Sequence, residues 1–283
     1  MEGKRSVLIT GAGRGIGRAV ALQLVADGWD VYAGVRNVEA ADALLAAAGQ
    51  SKLTPVILDV TNSEQIAELG DVLPEQLDAI VNNAGIAINA PVESIPPEEL
   101  RRQFDVNVFG TIEVTQAVLP KIRAARGRIV FISSVSGRIS TPWSGPYSGS
   151  KYALEGLADA LRMEVKPWGI SVSLVEPSAT DTDMWGTMID EFDKTTASLA
   201  DEQQTLYASH TTGMRRTLKL MQKTTVPVEN VVTCVQRALS AKRPRARYPV
   251  GIPSKVQLAA AAVTPTPVND FVVSRATGVP RKR

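Results

Sequence analysis

The run Arg5-Ser6-Val7-Leu8-Ile9-Thr10-Gly11-Ala12-Gly13-Arg14-Gly15-Ile16-Gly17, continued by Arg18-Ala19-Val20-Ala21-Leu22-Gln23-Leu24, decides the fold of this chain. Its first six residues read as a buried strand and its last seven as an apolar-faced helix. Between them, glycines let backbone pass where a Cβ would obstruct, and a helix N-terminus offers unpaired N–H groups to a pyrophosphate. The spacing is TGxxxGxG rather than the commoner GxGxxG. A glycine turn alone says little. Set between strand and helix, it marks Thr10, Gly11, Gly13, Arg14, Gly15, Ile16 and Gly17 as a dinucleotide cradle.

The same alternation continues outward. Asp30–Val35, Thr54–Leu58, Asp78–Asn82, Arg128–Ile132, Ile170–Val175 and Arg247–Gly251 read as further strands. Helical patterns fill the gaps, notably Pro96 to about Arg123 and Pro146 to Lys166. Strand and helix alternate six times in about 180 residues, which predicts an α/β fold with a doubly wound parallel sheet of about seven strands. No linker interrupts it, so residues 1–283 read as a single domain. The second strand ends in Val35-Arg36, with no acid to hold ribose hydroxyls; Arg36 and Arg14 instead suit a 2′-phosphate. NADP(H) is therefore expected over NAD(H). Asp59, followed by Val60, stands where a carboxylate could meet an adenine amino group or cap the helix near Asn62. Asn82-Asn83-Ala84-Gly85 either ties strand ends together beside the cofactor ribose or is a simple turn.

A second stretch carries chemistry. Ser134 follows the fifth strand, and Tyr147 and Lys151 stand four apart on the next helix, on one face. In an open α/β sheet, ligands bind at this end of the strands. Bringing a tyrosine from a pKa of about 10 to about 7 takes roughly 4 kcal/mol. A cation about 4 Å away supplies about that at an effective dielectric of 20. Lys151 is such a cation, so a tuned Tyr147 phenol could protonate a carbonyl or deprotonate an alcohol, with Ser134 bonded to the same oxygen. Asn107, a poor helix former in an apolar run, invites a polar role.

Bulk composition excludes other classes. With 44% apolar and 21% charged residues the chain reads as a soluble globular protein, and a net charge of +2 is too small for an electrostatic nucleic-acid binder. The cations at 242–247 and 281–283 read as solvated. One cysteine, Cys234, and one histidine, His210, leave no intrachain disulfide and no Cys/His metal site. Cys234 reads as core and His210 as exposed. No apolar run reaches a membrane span, and the first one is too short for a signal peptide, so the expected location is cytoplasmic.

Taken in order, Thr10-Gly11…Gly15-Ile16-Gly17, Asn82-Asn83-Ala84-Gly85, Asn107, Ser134, Tyr147 and Lys151 resemble the short-chain dehydrogenase/reductase family over residues 5–185. The resemblance implies a Rossmann-type fold and nicotinamide-dependent carbonyl–alcohol chemistry. It implies that Tyr147 is the acid/base, that Lys151 holds the ribose and tunes the phenol, that Ser134 orients the substrate oxygen, and that Asn107 anchors a water in the proton relay. Asn83, Ala84, Gly85, Pro177, Thr180 and Thr182 complete the implied cofactor contacts, and a homodimer or homotetramer is implied. One departure is Ser178, which stands where the family carries glycine, and it puts the local backbone in doubt.

Residues 183–225 carry no motif and are expected to form a lid of short helices, with Met184, Trp185, Met188, Phe192, Leu206, Tyr207 and Met214 lining a pocket or packing the lid down. The tail, 253–283, is expected to be partly helical and to close the pocket or meet a neighbouring subunit. The expected substrate is a bulky hydrophobic ketone or alcohol of steroid, retinoid or lipid type. A carrier-bound 3-ketoacyl reductase and a non-catalytic NADP(H) sensor are the alternatives.

Overall fold

The computed structural model describes residues 5–49, 52–181 and 183–280, with the side chains of 183–187 outside that description. Seven strands form one parallel sheet: β1 (Ser6–Ile9), β2 (Asp30–Val35), β3 (Leu53–Ile57), β4 (Ala79–Asn82), β5 (Arg128–Ile132), β6 (Ser171–Glu176) and β7 (Arg247–Pro249). Their order is β3-β2-β1-β4-β5-β6-β7, so the winding reverses between β1 and β4. Strands of a parallel sheet are buried on both faces. Thus Val7 and Ile9 of β1 join one apolar cluster while Leu8 joins the other.

Helices cover both faces. α1 (Gly15–Ala26) and α2 (Val38–Ala48) follow the first two strands, and α3 (Ser63–Ala67) and α4 (Leu69–Val72) follow the third. α5 (Pro97–Phe104) and α6 (Thr111–Ala125) precede β5, and α7 (Gly145–Glu164) precedes β6. Val114, Val118 and Ile122 of α6 and Leu154 and Ala158 of α7 are buried against the sheet, each larger side chain contributing about 1.5–3 kcal/mol. Beyond β6 come α8 (Asp183–Ala197), α9 (Asp201–Lys223) and α10 (Val228–Ser240), and after β7 come α11 (Gly251–Val263) and α12 (Thr266–Ala276). None of the described helices is long and apolar enough to cross a membrane.

Three expectations need correction. The single helix expected from Pro96 to Arg123 is α5 and α6 joined by a π-helical turn, Asp105–Gly110. The helices of 183–225 are not short, since α9 runs 23 residues. His210 is half-buried, its ring 5.1 Å from that of Tyr207. Cys234 is half-buried on α10 against the core, and burial pushes its thiol up.

Candidate active site

The glycine turn passes directly beneath the end of β4. Gly11 has φ +64, and a Cβ there would meet the Ala84 backbone at 2.9 Å. A Cβ on Gly17 would strike the Gly11 carbonyl and the Asn83 amide. Thr10 Oγ1 accepts from the N–H groups of Asn83 and Ala84, each at 3.0 Å, while the Asn83 side chain donates to the Thr10 and Gly11 carbonyls at 3.0 Å. The asparagine therefore ties β1 to β4, as the first of its two readings held. α1 begins with no side-chain cap and no acid in its first turn, leaving its N–H groups to the cleft.

A cavity of about 1340 Å³ opens from this turn. Gly11, Gly13, Arg14, Gly15 and Ile16 line one end together with Arg36, Asp59, Val60, Asn83, Ala84 and Gly85. Arg14 and Arg36 are exposed on it. Asp59 does not cap a helix: its carboxylate accepts from the Thr61 N–H at 2.9 Å and hydroxyl at 2.7 Å, and Asn62 caps α3. Thr10 and Gly17 lie behind the turn rather than on the cavity wall, both buried.

The middle of the cavity holds the polar trio. Ser134 lies just past β5, its hydroxyl accepting from the Ser136 N–H at 3.1 Å and donating to the Pro177 carbonyl at 3.4 Å. Tyr147 and Lys151 stand on successive turns of α7 and line the same wall. Burial pushes the Tyr147 phenol above its ordinary value, and its bond to Ser134 draws it partly back. The expectation of a phenol already made acidic is corrected here. Lys151 Nζ donates to the Ile132 carbonyl at 2.8 Å and sits 5.8 Å from the Tyr147 ring centroid, so desolvation prevails. Lys151 itself is lowered to about 8 by burial, with Glu155 opposing.

Asn107 occupies the π-helical turn and is buried. Its amide accepts from the Ile86 N–H at 2.9 Å and donates to the Ile86 carbonyl at 3.0 Å and to Ser150 Oγ at 3.1 Å. Ser150 donates in turn to the Tyr147 carbonyl at 2.7 Å. A π-helical turn displaces one residue from the regular ladder, and here Asn107 clasps the loop at Ile86, beyond β4, to α7. Pro177 and Thr180 line the cavity, and Thr180 pairs with Val226 in a parallel bridge. Ser178 needs no glycine backbone: among described non-glycine residues only Arg126 and Trp143 have positive φ. Thr182 lies outside the described residues.

The far end of the cavity is apolar. Met188, Phe192, Met214, Leu218 and Met221 line it from α8 and α9, with Ala261, Val268, Val272 and Val273 from α11 and α12. α11 and α12, which lie in the tail, thus form part of the cavity wall. Tyr207 and Leu206 do not line it; Tyr207 packs behind, against the cluster of Trp143, Phe192 and Met214. Met184 and Trp185 fall among side chains outside those described.

Two features escaped the sequence reading. Trp143, with φ +71, is buried where the loop before α7 meets α8, its ring centroid 4.8 Å from that of Phe192. Behind Lys151 lies an ionic cluster. Arg247, read with the solvated cations, instead binds Glu155 at 2.9 Å and Asp159 at 2.6 Å. It reaches the fully buried Glu176 only at 3.6 Å, and Arg138 reaches Glu176 only at 3.7 Å. Those separations exceed hydrogen-bond length, so burial wins and raises Glu176 to about 7. The sequence signal was present: Lys151, Glu155 and Asp159 recur every four residues along α7.

Comparison with known proteins agrees with this architecture. The family model described as short chain dehydrogenase matches residues 5–192. An NADPH-dependent 3-dehydrocapnine reductase of Ornithobacterium rhinotracheale is 33% identical, covering 91% of each chain. Retinol dehydrogenase 5 of mouse is 34% identical, covering 95% of this chain and 87% of its own. A short-chain dehydrogenase structure from Streptomyces avermitilis superposes with TM-score 0.78 at 30% identity, over 98% of this chain and 99% of its own. This chain belongs to the short-chain dehydrogenase/reductase family. It is an oxidoreductase acting on CH–OH groups.

Proposed function

We propose that this enzyme uses NADP(H) to interconvert a carbonyl and a primary or secondary alcohol on a bulky hydrophobic molecule. The observation that carries the reading is the continuity of one cavity, from the glycine turn past Ser134 and Tyr147 to an apolar chamber. The uncapped N-terminus of α1 and the close approach of Gly11 to Ala84 fit a pyrophosphate. Arg14 and Arg36 flank that end, exposed on its wall, and supply the charge a 2′-phosphate needs. The NADPH-dependent relative supports the same choice. Val60, Asn83 to Gly85, Pro177 and Thr180 would hold the rest of the cofactor.

The nicotinamide, when bound, supplies or accepts the hydride. Tyr147 gives its phenolic proton to the substrate oxygen during reduction, or takes one during oxidation. Ser134, on the same cavity wall as Tyr147, would turn its hydroxyl from the Pro177 carbonyl to donate to the same oxygen and stabilise the charge that develops there. Lys151 keeps a cation behind the phenol and reaches for the ribose, and Asn107 holds the loop and a relay water. Residues 183–225 act as the lid, the tail completes it, and the whole is one catalytic domain. Exposed Phe109, and Tyr152 and Leu157 on α7, support a homodimer or homotetramer through the central helices. Arg102 is paired with Glu99 at 3.1 Å, which weakens the carrier-bound alternative. Kinetics with hydrophobic ketones test the reading: kcat/KM should be higher with NADPH than with NADH. Arg36→Ala should lower the NADPH value by roughly tenfold or more, since charged hydrogen bonds are worth about 1.5–3 kcal/mol. A preference for NADH would overturn it.

A further inference from the structure

We propose that the face formed by the C-terminal half of α9, by α11 and by α12 docks on the surface of an anionic lipid bilayer and loads apolar compounds from it. α11 has one charged residue in 13, Lys255, yet only Ser254 and Leu258 of it are buried. Ile252, Val256 and Val263 are 76%, 61% and 82% exposed. A helix apolar on nearly every side is stable when covered. On α12, Val268 and Val272 are exposed and also line the cavity, as does Met221 on α9. The apolar surface thus continues over the cavity rim into the substrate chamber.

Charge selects what covers it. Arg216, Lys219 and Lys223 on α9, Lys255 on α11 and Arg275 on α12 are exposed on these elements, against the single acid Asp270. From Gln203 to Pro280 the sequence has eleven Lys and Arg and two Asp and Glu, although the whole chain is only +2. A second copy meeting this face about a two-fold axis would set cation against cation. An anionic leaflet matches both features: aliphatic side chains enter the acyl boundary while lysines and arginines meet headgroups. Thr217 Oγ1 donates to the Ala276 carbonyl at 2.9 Å, so the last turns of α9 and the end of α12 are held side by side.

Flotation of the full chain with vesicles tests this, using phosphatidylcholine alone and phosphatidylcholine with phosphatidylglycerol. Binding is expected only to the second, weakening as salt rises. Lys219→Glu and Lys223→Glu should each reduce binding roughly fivefold or more. The double substitution Val256→Glu with Val263→Glu should abolish binding, leaving turnover of a small water-soluble ketone intact, since neither residue lines the cavity. Absence of flotation, equal binding to both vesicle types, or a dimer in light scattering that the double substitution dissociates would each overturn the proposal. The readout is binding, so its failure is distinct from failure of the catalytic reading.

Discussion

At the scale of single residues, the site rests on groups that burial has pushed away from their ordinary proton affinities. Tyr147→Phe removes the only phenol beside Ser134 and should abolish turnover while cofactor affinity stays nearly unchanged in fluorescence titration. Lys151→Ala should impair both. Glu176 offers a prediction in stability. Its folded pKa, about 7, lies above the ordinary 4.5, so the folded state holds a proton that the unfolded state releases between those values. The stability contributed by this one group is therefore fully present below about pH 4.5 and is lost as pH rises to about 7, by an amount on the order of 3 kcal/mol. Urea denaturation of Glu176→Gln should lack that fall. A difference between wild type and Glu176→Gln that does not change across this interval would contradict the assignment.

At the scale of elements, legibility in the sequence followed periodicity. The strands stand within about one or two residues of their expected bounds, because each is a short run rich in β-branched or apolar residues closed by a polar or turn-forming residue. Asn107 was legible as an oddity, but the π-helical turn that explains it was not, since one extra residue in a turn leaves no compositional trace. The ionic cluster was missed because Arg247 and Glu155 are 92 residues apart and meet only through the sheet. Trp143 belongs to the same class: its left-handed backbone and its contact with Phe192 arise between elements. Trp143→Ala should cost the lid about 3–5 kcal/mol of local packing. Limited proteolysis should then cut within α8 or α9, and KM for a hydrophobic ketone should rise more than KM for NADPH.

At the scale of the whole molecule, the strand order sets two tasks at opposite ends of one cleft. The proposed phosphate site sits at the reversal between β1 and β4, where the sheet supplies strand ends. The apolar end of the cavity, the proposed substrate chamber, is walled by helices appended after β6 and β7, which no motif announces. Truncation after Val263 should accordingly raise KM for hydrophobic substrates while NADPH binding, measured calorimetrically, persists. Equal loss of both would place the tail in the structural body. Gly213 on α9 rests against Gly278 just beyond α12, so closely that a Cβ on either would collide with the other's backbone. Two segments in backbone contact travel as one rigid leaf. A bulky substrate of the kind proposed should therefore enter only when α9 and α12 move together, and a bulkier residue at Gly213 should slow turnover of large ketones more than of small ones.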